Sequence, residues 1–147
     1  MSLAAPEITE ISRPYWESLQ QGRLMFQRCD CGHAWLPARR ECPSCLGDKP
    51  RWEQASGNGR LVSWVVYHTA YHDAFKHRLP YNVAIVELAE GPRLITNMVD
   101  SHERLVCDAA VELRVESDDG IALARFALAP RRDDDRGSGA LESRNQP

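Results

Sequence analysis

Four of the five cysteines fall between positions 29 and 45, as Cys29-Asp30-Cys31 and Cys42-Pro43-Ser44-Cys45 with ten residues between the pairs. Two close pairs of thiols on a short spacer can reach one Zn²⁺ ion from two adjacent turns, because zinc takes four soft ligands at tetrahedral corners. The second pair is a Cys-Pro-x-Cys knuckle, whereas the first has a single intervening residue. In an extended chain residues i and i+2 share a face, so both sulfurs of the short pair would still meet one ion. The same reasoning makes His33 an alternative ligand. Four thiolates leave no open position for water and make the ion a weak Lewis acid. The expected role of such a zinc is to hold a fold together. Iron in the same four-cysteine setting would instead give a rubredoxin-like electron carrier, which the colour of the protein would reveal.

Disulfides are the competing use of these thiols, and they need an oxidising compartment. The opening residues Met1 to Glu7 contain no basic region followed by an apolar stretch, and no segment has the apolar length of a membrane span. The expectation is a cytoplasmic chain with reduced thiols and no membrane association. Cys107, remote from the cluster, is expected to be a buried free thiol.

The chain has 147 residues, room for one ordinary domain or two small lobes, and its 43% hydrophobic content suffices for a core. With 18 basic and 21 acidic side chains the net charge is −3. Four zinc-bound thiolates would make it more negative. A single-stranded nucleic-acid-binding barrel, the rival reading for this kind of chain, needs a cationic groove with stacked aromatics. The charge argues against that partner.

Several elements must position the cysteines. Ser12 to Gly22 carries helix punctuation: Ser12 as a cap, Pro14 in the first turn and Gly22 as a stop, with Tyr15, Trp16 and Leu19 as the apolar stripe. A short hairpin around the first cysteine pair, completed by the second, makes a zinc ribbon. After Ser56-Gly57-Asn58-Gly59 the pattern changes to five strands: 60–68, 82–88, 93–99, 110–116 and 121–128. Glu90-Gly91-Pro92 and Asp119-Gly120 mark two hairpin turns. Five antiparallel strands in so short a span predict a Greek-key barrel, of OB-fold or SH3-like topology. The predicted organisation is an N-terminal helical segment (1–25), a ribbon (26–55), a barrel (56–130) and a charged, disordered tail (131–147).

The connection from Thr69 to Tyr81 is long and rich in aromatics and cations, and the first long loop of such barrels borders the binding face. His68, His72 and His77 straddle a strand end and this loop without a convergent set of carboxylates. His72-Asp73 reads as a surface turn, and Asp118-Asp119 as a solvated hairpin tip. No serine or cysteine stands in a nucleophile setting. The sequence describes a scaffold with a binding surface, not a catalytic machine.

Pro14-Tyr15-Trp16-Glu17, Gln27-Arg28-Cys29, Cys42-Pro43-Ser44-Cys45, Leu79-Pro80-Tyr81 and the run Val86-Glu87-Leu88-Ala89-Glu90-Gly91-Pro92-Arg93 occur in an order that resembles one family. It is the zinc-ribbon plus OB-fold family known as domain of unknown function thirty-five, the acyl-CoA-associated OB-fold proteins. The likeness runs over about residues 10 to 130. It implies a mainly β fold: an N-terminal helix, a rubredoxin-like zinc ribbon with Cys29, Cys31, Cys42 and Cys45 on a structural zinc, then a five-stranded OB barrel. It also implies a non-catalytic subunit in a hetero-oligomer with a thiolase-like, hydratase or aldolase enzyme of lipid, steroid or aromatic-acid metabolism. Such a subunit helps to hold an acyl-CoA thioester. Most relatives carry two residues inside the first cysteine pair, where this chain has only Asp30. Aromatic faces and a few cations suit the coenzyme, which makes Tyr71, Phe75, Lys76, Arg78 and Tyr81 the candidate contacts.

Overall fold

The computed structural model describes residues 5–130, so the tail reading for 131–147 and the first four residues of the N-terminal segment lie outside the described residues. Helix α1 spans Arg13–Gln20 with Pro14 in its first turn. Ser12 makes no capping bond to the helix. Its hydroxyl instead accepts from the Thr9 N–H at 3.0 Å, within a turn that feeds the helix. Gly22, at φ +77°, ends it as expected: its N–H donates to Leu19 O and the Arg23 N–H to Ser18 O, both at 2.9 Å.

Strands β1 (Met25–Arg28), β2 (Ala34–Trp35) and β3 (Arg51–Gln54) form an antiparallel sheet in the order β2-β1-β3. β3 has too few residues to show a period in the sequence. It is held by the register Phe26 to Glu53 and Arg28 to Arg51.

The five later strands, β4 (Asn58–Tyr67), β5 (Tyr81–Leu88), β6 (Arg93–Thr96), β7 (Ala110–Asp118) and β8 (Ile121–Leu128), lie in the order β6-β5-β4-β7-β8. Gly59 sits where β4 crosses β5 so closely that a Cβ would stand 2.6 Å from Glu87 O. The sheet curls until the chain after β6 meets β8 in parallel. There the Phe126 N–H donates to Asn97 O at 3.1 Å, and the Val99 N–H to Phe126 O at 2.9 Å. A first strand paired on both sides and a third closing in parallel on the fifth is the OB topology, here a half-barrel.

Buried Asn82 pins that closure. Its amide donates to Met98 O at 2.8 Å and accepts from the Met98 N–H at 2.7 Å. A polar residue at the head of an apolar strand is thereby satisfied on both sides.

Helix, ribbon and barrel share one core. Leu19, Leu24 and Phe26 pack in the same buried cluster as Leu61, Val86 and Phe126. The two lobes therefore do not bury separate contacts. Among the described residues only the metal-binding end stands apart, as a cluster of Cys29, Trp35 and Cys42.

Candidate metal centre and ligand cavity

The reversal between β1 and β2 happens inside the first cysteine pair. The Gly32 N–H donates to Cys29 O at 2.9 Å and Gly32 takes φ +92°. Cys29 and Cys31 thus converge through a tight turn, not an extended segment, because a hairpin this short must fold back within the knuckle. Arg28 braces the turn, donating to Gly32 O at 3.1 Å and to Glu53 at 2.8 Å.

The second knuckle turns at Leu46, φ +63°, whose N–H donates to Cys42 O at 2.9 Å. Backbone N–H groups of Ser44 and Gly47 point at the sulfurs of Cys42 and Cys45, each at 3.4 Å. Such donors stabilise thiolate charge.

The four sulfurs all lie within 4.8 Å of one another, with Cys29 to Cys45 at 3.5 Å and Cys31 to Cys42 at 3.7 Å. Tetrahedral zinc with Zn–S bonds of about 2.3 Å separates its sulfurs by about 3.8 Å. The donor set fits that ion. Gly47 fits it too, since a Cβ there would stand 3.3 Å from Cys45 Sγ and 3.4 Å from Cys29 Sγ. His33 is outside the group; its exposed ring stacks on Trp35 with centroids 5.9 Å apart. Cys107 is exposed, contrary to the expectation of a buried thiol. It lies just before the turn made by Asp108 (φ +63°), whose N–H donates to Leu61 O of β4 at 2.8 Å.

The 69–80 loop contains a 3-10 turn, Asp73–Arg78, capped by His72, whose Nδ1 accepts from the Ala74 N–H at 3.1 Å. That bond uses His72 as a structural acceptor. Tyr81 stacks on Tyr67 at 5.2 Å and meets Phe75 at 5.4 Å.

Phe75, Arg78 and Tyr81 line a cavity of about 430 Å³. Tyr71 and Lys76 do not. Tyr71 stands 86% exposed against the edge of Tyr67, and Lys76 pairs with Asp73 at 2.7 Å. The opposite wall, which sequence reasoning missed, comes from the β6–β7 connection (Met98, Asp100, His102) and from Glu116 and Arg125. Those residues are adjacent only because the barrel closes, and no local pattern marks them.

Arg78 is not a free cation. Both its terminal nitrogens bond Asp118, which also accepts from Arg125 at 2.7 Å. The Asp118 side chain is only 12% exposed, so for this residue the solvated hairpin tip is corrected to a part-buried clamp between the 69–80 loop and the β7–β8 hairpin, while Asp119 is exposed as expected. The Arg78 bond, reinforced by Arg125 against the effect of burial, holds its carboxyl at about 2, below an ordinary 3.8. A depressed carboxyl adds stability that is complete above the unfolded value and disappears as pH falls through the folded one. Asp118→Asn is therefore expected to destabilise the protein at neutral pH, with the deficit vanishing between about pH 4 and pH 2 in acid-unfolding curves.

A second hollow, about 560 Å³ and mostly apolar, lies between α1 and the β5–β6 edge. Tyr15, Trp16, Leu36, Pro37, Ile85 and Ile95 line it. Leu19 of the predicted stripe turns away into the core. Burial pushes the Tyr15 phenol up to about 12. Among the described residues no helix is long and apolar enough to cross a membrane.

Comparison with known proteins accords with this architecture. Residues 16–51 match the rubredoxin-like zinc ribbon domain of ChsH2, and residues 52–116 its C-terminal OB-fold domain. A "DUF35 domain-containing scaffold protein" of Methanothermobacter thermautotrophicus is 35% identical over 84% of this chain and 98% of its own length. A "Probable enoyl-CoA hydratase alpha subunit" of Thermomonospora curvata is 39% identical over 64% of this chain, which spans only 29% of that subunit. The "Benzoylsuccinyl-CoA thiolase subunit BbsA" of Thauera aromatica is 26% identical over 82% of this chain and 88% of its own length. Among solved structures, a chain of the "Ltp2-ChsH2(DUF35) aldolase" superposes with a TM-score of 0.74 at 34% identity, covering 84% of this chain and 98% of that one. With its four-cysteine zinc ribbon ahead of an OB half-barrel, the chain belongs to the DUF35 family, of ChsH2 type.

Proposed function

We propose that this chain is a non-catalytic cytoplasmic subunit that docks on a thiolase-like, hydratase or aldolase enzyme and helps it to bind acyl-CoA thioesters. The setting would be lipid, steroid or aromatic-acid metabolism. The observation that carries the reading is the cavity itself. The aromatic loop predicted for thioester contact forms one wall, while the carboxylates and guanidiniums around it are committed to one another. Such a site binds, and it presents no nucleophile with an activating base. The names of the hydratase, thiolase and aldolase relatives support a partner enzyme. The hollow beside α1 gives that partner an apolar contact. In the same reading Cys29, Cys31, Cys42 and Cys45 hold one structural zinc, and neither a nucleic acid nor a membrane is a partner.

Phe75→Ala tests the loop's role without touching the Asp118 clamp. In the reconstituted complex it is expected to raise KM for the thioester by about tenfold with kcat unchanged, since it removes binding and not chemistry. An unchanged KM, or a fall confined to kcat, would count against the loop as a thioester contact.

A further inference from the structure

Resting on the thioester reading above, we propose that the cavity receives the uncharged, amide-bearing pantetheine arm of the thioester and not its nucleotide phosphates. The charges of its walls are already matched. Arg78 gives both terminal nitrogens to Asp118. Arg125 donates to Glu116 and Asp118, each at 2.7 Å. Asp100 accepts from the Leu128 N–H at 2.7 Å and from Arg104 at 3.3 Å. A diphosphate entering here would find guanidiniums neutralised by carboxylates and would be repelled by Asp100 and Glu116.

What the walls lack is a partner for neutral polar groups. Arg125 Nε and His102 Nδ1 are buried with no hydrogen-bond partner among the described residues. Both side chains border this cavity, with these two nitrogens enclosed just behind its surface, so a ligand amide reaches them through a small shift of the wall. The Nε–H can only donate, so its complement is a carbonyl oxygen; the imidazole nitrogen can donate or accept by tautomer. An amide offers both functions. Between the polar groups the lining is apolar or aromatic: Phe75, Pro80, Tyr81, Met98 and Val99. A chain of methylenes interrupted by amides suits walls that mix such apolar surface with polar side chains, Asn82 and Asn97 among them, and the volume lies within the roughly 300–1,000 Å³ of small-molecule sites. The same arm is carried by coenzyme A and by the prosthetic group of acyl carrier proteins, so the chemistry is shared by two sources.

The test titrates the full chain calorimetrically with S-acetylpantetheine, acetyl-CoA, adenosine 3′,5′-bisphosphate and an acetylated holo-carrier protein. S-acetylpantetheine is expected to bind within about tenfold of acetyl-CoA, and its affinity to change less than about twofold between about 50 and 200 mM salt. The bisphosphate is expected to leave that binding undisturbed. Arg125→Met is expected to weaken S-acetylpantetheine by about tenfold. Should that variant fail to fold, the comparison of ligands on the wild-type chain decides alone. Binding of acetyl-CoA and the bisphosphate with S-acetylpantetheine silent would overturn the inference and leave the thioester reading standing. Failure of every thioester to bind would overturn the reading, and the inference with it. A carrier-protein thioester bound in preference to acetyl-CoA would uphold the arm and overturn coenzyme A as its source.

Discussion

Stripping the metal is expected to destabilise the whole chain in one cooperative step, not to melt a ribbon from an intact barrel. A four-thiolate zinc contributes on the order of 10 kcal/mol to folding, as much as the entire stability of an ordinary domain. That energy acts on β1 and β2 through Cys29 and Cys31, which flank the hairpin reversal. β1 also carries Phe26, whose side chain lies in the barrel core with Leu61 and Phe126. Loss of the knuckles therefore loosens a strand that the barrel needs. Elemental analysis of reduced protein is expected to give one zinc per chain, and chelation to lower the melting temperature with near- and far-ultraviolet signals moving together. Cys31→Ser is expected to lose the metal and His33→Ala to keep it. Metal-free protein that folds normally, or metal retained by Cys31→Ser and lost by His33→Ala, would contradict this arrangement.

Phe26→Ala is expected to cost about 3–5 kcal/mol, the range for deleting a buried aromatic ring with partial collapse of the cavity. The residue is 1% exposed, and it joins Leu19 and Leu24 to the barrel residues in one cluster. A β1 residue of a separate lobe would lower only that lobe's stability. Here hydrogen exchange is expected to speed up in β4 and β5 as well as in β1. Faster exchange confined to 25–54 would mean that the lobes are energetically independent. Chemical unfolding followed at equilibrium supplies the magnitude.

The sequence disclosed most about features that depend on neighbouring residues. Cysteine spacing announces the knuckles, Asp119-Gly120 and Glu90-Gly91-Pro92 place two hairpins, and the alternation of Ala84, Val86 and Leu88 assigns the buried face of β5. What it hid depends on closure. Asp118 reads as a turn residue until Arg78 and Arg125 arrive from other segments to clamp it. Asn82 reads as the start of an apolar strand until Met98 closes against it. The short first knuckle was legible in composition and illegible in shape, because one residue between cysteines permits an extended or a turned backbone. Only the register of β1 with β2 selects the turn. The candidate loop divided for the same reason: Phe75, Arg78 and Tyr81 face the β6–β7 connection across the cavity, while Tyr71 and Lys76 stay outside it.

The most direct test of the central claim measures acyl-CoA turnover in three samples: the chain alone, the enzyme that co-purifies with it, and the two recombined. The account predicts no turnover by the chain alone, impaired or unstable activity of the partner alone, and recovery on mixing. Robust turnover by the isolated chain, or a partner fully active and stable without it, would contradict the account.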